Sequence, residues 1–160
     1  MHRPRLCLLN MRALIQEVLS SSVTIGGELI SSIGRGELIL VGFTQGDDHL
    51  TLEKMAKKIA KARIFPDENG KTNLSLSQID GEVLCVSQFT LYGSLKEGNR
   101  PSFVEAMRPE EAKRLYEEFV SLLRQEFPSL KTGVFQADMK VSLVNDGPFT
   151  LMLDSKELFQ

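Results

Sequence analysis

The longest apolar stretch in the chain, Leu38 to Phe43, has the length of a strand, and that ceiling decides most of what the chain can become. A membrane-spanning helix needs roughly 20 consecutive apolar residues, so no such span is expected. An apolar run this short, bounded by turn residues, buries itself as a strand in a sheet. Such a strand needs neighbours, and the flanking sequence offers them. From Arg12 to Phe43, Ala13, Ile15 and Val18 are set among polar partners and Val23 to Ile25 is β-branched. Gly26-Gly27 and Gly34-Arg35-Gly36 supply the positive φ that tight turns require. The expectation is three strands joined by hairpins.

After Asp47 the period changes to that of a helix, which puts Leu52, Met55, Ile59 and Ala62 on one face, with Asp47 or Asp48 as cap. The other face carries Lys54, Lys57, Lys58 and Lys61. The plain reading is a solvated face and the sharper one a contact with phosphates. Pro66 to Gly70 is a turn signal. Glu82 to Leu91, crowded by Val83, Leu84, Cys85, Val86 and Phe89, predicts a buried strand. Pro109, two glutamates and the spacing Ala112, Leu115, Phe119, Leu123 predict a second helix with acidic residues at its positive end. Gly133–Phe135, Met139–Val144 and Phe149–Leu153 are expected as three more strands. The order βββ-α-β-α-βββ describes an α/β chain: one mixed-sheet, barrel-like domain over 11–160 with two helices. At 160 residues and 42% apolar composition, the chain can fill a single core.

Residues 1–10 place Arg3 and Arg5 before a short apolar core, Leu6 to Leu9. That core is shorter than the roughly 7–15 residues of a secretory signal, and no small-residue cleavage site follows. Because Met11 begins the patterned sequence, 1–10 are expected to be an extension with little stable order. Cys7 and Cys85 are the only cysteines and His2 and His49 the only histidines. Neither a disulfide framework nor a metal site is expected, and no cofactor is implied. A net charge of −2 gives no general basic footprint, so any nucleic-acid contact must be local.

Two segments put polar, backbone-constraining residues where packing alone favours apolar ones. In Ser87-Gln88-Phe89-Thr90 a strand ends on hydroxyls, which can be a nucleophile, donors to a substrate, or satisfied core polarity. Asn145-Asp146-Gly147-Pro148-Phe149-Thr150 reads most simply as a hairpin turn. A functional reading would have the Gly-Pro carbonyls facing a ligand through a cis bond. His2 and His49 both lie far in sequence from these segments, which argues against a histidine-based triad.

Ser87-Gln88-Phe89-Thr90-Leu91 and Asn145-Asp146-Gly147-Pro148-Phe149-Thr150 resemble the two signature motifs of the D-aminoacyl-tRNA deacylases. The likeness extends from Met11 to about Asp154 through Gly34-Arg35-Gly36, Arg63-Ile64-Phe65, Arg100-Pro101-Ser102-Phe103 and Ala137-Asp138-Met139. It implies a cytoplasmic homodimer that hydrolyses the ester at the 3′ end of aminoacyl-tRNA. Ser87, Gln88, Phe89 and Thr90 of one subunit would form the catalytic edge, gated by Gly147 and Pro148 of the other. Two carbonyls facing the substrate Cα would exclude an L side chain and admit glycine. Phe135 and Met139 would flank the terminal adenine; their plain reading is strand core. Backbone N–H groups near Phe89 and Thr90 would hold the oxyanion, with the terminal ribose 2′-hydroxyl assisting and Thr90 binding rather than attacking. Ser87 and Phe89 fit the D-selective branch. Glu17 departs from the pattern, since many relatives carry arginine there, in a position thought to brace the Gly-Pro segment.

Two other readings compete. A non-catalytic RNA 3′-end binding protein of the same fold would saturate with aminoacyl-tRNA without releasing amino acid. A small-molecule esterase with Thr90 as nucleophile would act on simple D-amino-acid esters and lose all activity in Thr90→Ala.

Overall fold

The computed structural model describes residues 11–159. The extension expected over 1–10, with His2 and Cys7, lies outside the described residues. The elements run β1 (Arg12–Ile25), β2 (Glu28–Ile33), β3 (Gly36–Gly42), α1 (His49–Lys61), β4 (Phe65–Pro66), β5 (Thr72–Leu74), β6 (Glu82–Ser87), α2 (Pro109–Glu126), β7 (Lys131–Thr132), β8 (Lys140–Asp154) and a short α3 (Ser155–Phe159). The main sheet is mixed and six-stranded, ordered β2-β1-β3-β6-β7, with β8 on the other edge of β1. β4 and β5 form a separate small hairpin.

Strand β1 organises the sheet, because both of its edges are paired along most of its length. Gly26 and Gly27, at φ +56° and +81°, reverse the chain into β2 as expected. Gly34-Arg35 does not make the second hairpin. Ser21 stands opposite Ile33 and Val18 opposite Gly36, so the register along β1 is unchanged and β2 and β3 are one run, broken but not reversed. The break bends β2 across the sheet toward its far end. There Ser31 Oγ donates to the Thr132 carbonyl and Lys131 Nζ to the Ser32 carbonyl, each at 2.9 Å, and these bonds give the sheet its barrel-like curl. Gly36 is required by proximity: a Cβ there would fall 1.9 Å from the Glu82 carbonyl oxygen on parallel strand β6.

The last strands also differ from expectation. Met139–Val144 and Phe149–Leu153 belong to a single strand, β8, antiparallel to β1 on both sides of the Asn145–Pro148 segment. Thr150 pairs with Gln16 and Asn145 with Val18, so the residues between them bulge out of the ladder instead of turning the chain. Lys131–Thr132, not Gly133–Phe135, pairs with β6. β6 itself ends at Ser87, and Phe89–Tyr92 form a 3₁₀ turn where the strand was expected to continue. A third helix, α3, was not foreseen.

Each face of the sheet has its own apolar cluster. Ala13, Ile15, Ile39, Val41 and Cys85 pack under α1 (Leu52, Met55, Ile59) and α2 (Leu115, Phe119, Leu123), with large side chains worth roughly 1.5–3 kcal/mol each when removed from water. Val18, Val23, Ile33, Leu38, Leu84 and Val86 fill the other side, joined by Met139 and Val141. The helices form where their periodicity placed them. The Asp48 side chain accepts the Thr51 N–H at 3.0 Å as the α1 cap, and Pro109 opens α2. Lys54, Lys57, Lys58 and Lys61 are exposed. Lys57 pairs with Glu53 at 3.2 Å and Lys54 lies over the Phe159 ring.

Candidate active site

The parallel pairing of β3, β6 and β7 brings the end of β6 beside the segment that follows β7. Between them opens a cleft of about 740 Å³, lined by Ser87, Gln88, Phe89, Phe135 and Met139, together with Phe103 and Arg108. Five of the residues singled out from sequence therefore meet in one place although they lie in two distant stretches of chain. The cleft is bounded by apolar walls and a few polar groups, the composition of a small-ligand site.

Local structure explains the form of the β6 end. The Gln88 N–H donates to the Val41 carbonyl at 2.7 Å, the last bond to β3 before the chain winds into the Phe89–Tyr92 turn. The turn is held internally by Leu91 N–H to Gln88 O (3.3 Å) and Gly93 N–H to Thr90 O (2.9 Å). Opening residues of a helical turn have no acceptor within the turn for their N–H groups, and Phe89 and Thr90 occupy those positions. Phe89 is 55% exposed, its ring set edge-on to Phe103 at 5.0 Å. Thr90 is exposed and does not line the cleft; its hydroxyl accepts a bond from the Gln88 side-chain amide.

On the opposite wall Phe135 is half-buried, 5.9 Å from the Tyr116 ring, and the Tyr116 hydroxyl donates to the Cys85 carbonyl at 2.9 Å. Met139 is seated by Gly133, where a Cβ would stand 2.5 Å from the Met139 sulfur. Gln136, between them, holds φ +65°, a left-handed conformation uncommon outside glycine. Phe103, Arg108, Gly133 and Gln136 were not singled out as site residues. Phe103 was marked only as part of the Arg100–Phe103 segment of the family likeness, and nothing local marked Arg108, Gly133 or Gln136 as site residues.

Gly147 and Pro148 do not line this cleft. They sit in the β8 bulge, joined by a cis peptide bond, with Gly147 at φ +136°. The bulge is closed at its neck by Asn145, whose side chain accepts the Phe149 N–H at 2.6 Å and donates to the Phe149 carbonyl at 3.2 Å and to Thr150 Oγ at 3.0 Å. Asp146, Gly147 and Pro148 are exposed.

Facing the bulge is Glu17, the β1 residue between Gln16 and Val18 that has no partner on β8. It is 6% exposed and stands opposite Glu37, which is 0% exposed. Glu17 Oε1 and both carboxyl oxygens of Glu37 are buried without a hydrogen-bond partner among the described residues. Burial, reinforced by Glu17, pushes the Glu37 carboxyl up to about 8. Burial, then the Asp146 charge, raises Glu17 to about 7 against the pull of Arg35.

No histidine lines the cleft among the described residues; His49 pairs instead with Glu118 on α2. Nor do the described residues contain a group of three or more His, Cys, Asp or Glu side chains arranged to hold a metal. No described helix is long and apolar enough to cross a membrane.

Comparison with known proteins shows what the chain is similar to. The family model for D-Tyr-tRNA(Tyr) deacylase matches residues 14–154. The D-aminoacyl-tRNA deacylase of Lactobacillus gasseri is 56% identical over 144 residues, covering 90% of this chain and 99% of the relative. That of Clostridium novyi is 49% identical over 149 residues, covering 93% and 100%. Among solved structures, the c-Myc DNA Unwinding Element Binding Protein superposes with a TM-score of 0.84 at 43% identity, over 89% of this chain and 97% of that one. A probable eukaryotic D-amino acid tRNA deacylase superposes with a TM-score of 0.81 over 91% and 100%; at 17% identity it shows the shared fold alone. A match along nearly the whole domain, with both polar segments inside it, leads to one conclusion: the chain belongs to the D-Tyr-tRNA(Tyr) deacylase family.

Proposed function

We propose that this protein hydrolyses the ester bond of D-aminoacyl-tRNA, releasing free tRNA and the D-amino acid. The observation that carries the reading is the cleft, which joins the Ser87–Phe89 edge to Phe135 and Met139 in a chain that matches the deacylase family over 14–154. The terminal adenosine lies between Phe135 and Met139, a stacking use of apolar side chains. This puts the ester carbonyl near the Phe89–Thr90 N–H groups, which receive the oxyanion as it forms. With no histidine lining the cleft among the described residues, the ribose 2′-hydroxyl helps to place the attacking water, and Thr90 supplies binding rather than a nucleophile.

Gly147 and Pro148 complete the site of a second subunit. Their exposure and their separation from the cleft of their own chain support this. So do the exposed Leu143, Val144, Leu151 and Met152 on β8, whose edge away from β1 has no strand partner among the described residues; an apolar open edge is a surface that another chain covers. In that dimer the Gly-Pro carbonyls exclude an L side chain and admit glycine, making the enzyme a cytoplasmic proofreader of mischarged tRNA.

Release of labelled amino acid from D-Tyr-tRNA and L-Tyr-tRNA tests the reading. Repeated turnover of the D form alone is expected, surviving in Thr90→Ala and lost with a 2′-deoxy terminal nucleotide. Stoichiometric binding without turnover would instead identify an RNA-end binding protein. Hydrolysis of simple D-amino-acid esters that vanishes in Thr90→Ala would identify a threonine esterase.

A further inference from the structure

The side chain of Arg12, the first residue of β1, meets three elements at once. Nη1 donates to the Leu91 carbonyl at 2.8 Å, inside the turn that opens with Phe89. Nε donates to Asp154 Oδ2 at 3.4 Å, at the last residue of β8. The guanidinium carbon stands 4.9 Å from the centre of the Tyr92 ring, and the Tyr92 hydroxyl donates to the Gly42 carbonyl at 3.1 Å on β3.

A 3₁₀ turn of four residues has poor internal hydrogen-bond geometry, so its position must be set from outside. Upstream it is set by the Gln88 bond to Val41. Downstream it is held by Arg12 and the Tyr92 ring that Arg12 covers, and just beyond the turn by the paired Ser94 and Ser102 (2.9 and 2.8 Å). A planar guanidinium can hold a carbonyl, a carboxylate and a ring face together, whereas an ammonium is a single point of charge. The two side chains of the ion pair keep only 29% and 21% of their exposure, so the contact is partly shielded from water.

We propose that Arg12 is a positioning residue for deacylation: it ties the Phe89–Tyr92 turn to β1 and β8, and so fixes where the Phe89 and Thr90 N–H groups point. This rests on the reading that the Phe89–Thr90 edge receives the oxyanion. A small displacement of donors aimed at a developing charge weakens the transition state more than the bound ester. Loss of the tie therefore appears in kcat and spares KM.

The test is steady-state deacylation of D-Tyr-tRNA by the wild type, Arg12→Lys and Arg12→Met, each confirmed as folded by circular dichroism. It is paired with amide ¹H–¹⁵N spectra of the same proteins. We expect kcat to fall roughly tenfold in Arg12→Lys and further in Arg12→Met, with KM within about twofold. The Phe89 and Thr90 amide signals should shift while those of β4 and β5 stay in place. A lower melting temperature with kcat per folded molecule unchanged would overturn the proposal, because Arg12 would then only stabilise the fold. If Arg12→Met does not fold, Arg12→Lys decides by the same criteria. A wild type that turns over no D-Tyr-tRNA would sink the functional reading alone. The tie would then be judged by the Phe89 and Thr90 amides, and unmoved signals in Arg12→Lys would overturn it.

Discussion

Replacing Glu37 by glutamine should make the protein more stable in mildly alkaline solution, and the size of the gain follows from the pair it forms with Glu17. Both carboxyls are buried, they face each other across β1 and β3, and three of their four oxygens have no hydrogen-bond partner. Their folded values, raised to about 8 for Glu37 and about 7 for Glu17, lie above the 4.5 of an unperturbed glutamate. The folded state therefore binds more protons than the unfolded state throughout that interval. The pair's contribution to stability is complete below about 4.5 and is lost as pH rises through 7 and 8. Each unit of displacement corresponds to about 1.4 kcal/mol, and about two units of the Glu37 shift and one of the Glu17 shift lie above pH 6, so the loss between pH 6 and 9 is on the order of 4 kcal/mol. At about 2–4 °C per kcal/mol for a chain of this size, the melting temperature should fall by roughly 10 °C between pH 6 and 9. Glutamine is neutral throughout, and its amide can donate to Glu17 Oε1, so Glu37→Gln should flatten most of that slope and melt above the wild type at pH 9. Thermal unfolding at fixed protein concentration reads both curves. His49, raised by its bond to Glu118, titrates in both proteins and cancels in the comparison. A wild-type melting temperature that is level from pH 6 to 9, or an equal slope in Glu37→Gln, would refute the reasoning.

Three further outcomes are expected. Gly147→Ala puts a side chain at φ +136° and 2.9 Å from the Phe149 nitrogen; a strain of about 1–3 kcal/mol should lower the melting temperature modestly and relax the preference for D- over L-Tyr-tRNA, as read by parallel deacylation assays. Gly133→Ala pushes against the Met139 sulfur, so KM for D-Tyr-tRNA should rise several-fold with little change in melting temperature, and an unchanged KM would remove Met139 from the adenine site. Gly36→Ala drives a methyl group into the Glu82 backbone; parting β3 from β6 should cost about 3 kcal/mol or more, seen as a lowered denaturation midpoint or loss of soluble protein.

Elements whose logic is local could be read from the chain directly. α1 and α2 follow their apolar spacing and caps, and Gly26-Gly27 reverses the chain where expected. The two mistaken turns share one cause. Gly34-Arg35-Gly36 and Asn145–Pro148 have turn chemistry, yet each lies along an edge of β1, and pairing with β1 on both sides keeps the chain running in one direction. Whether a glycine reverses a strand or merely interrupts it depends on a partner far away in sequence. The site was legible to the same degree. Ser87 to Thr90 stood out as polar residues ending a core strand, but the meeting of that segment with Phe135 and Met139 depends on β7 lying parallel to β6. That adjacency was anticipated only through the resemblance to a family. The Glu17–Glu37 pair escaped sequence reading because cross-strand facing depends on register, which neither glutamate reveals.

The pairing of β1 on both edges also governs when this molecule can come into being. Arg12 lies opposite Asp154, so one side of the central strand stays bare until the last strand of the domain has left the ribosome. Contacts this distant in sequence form slowly, and chains still being synthesised display an open, apolar edge to their neighbours. During that interval the nascent chain depends on its own helices, and on whatever holds it apart from other chains, to reach the closed sheet on which a finished cleft depends.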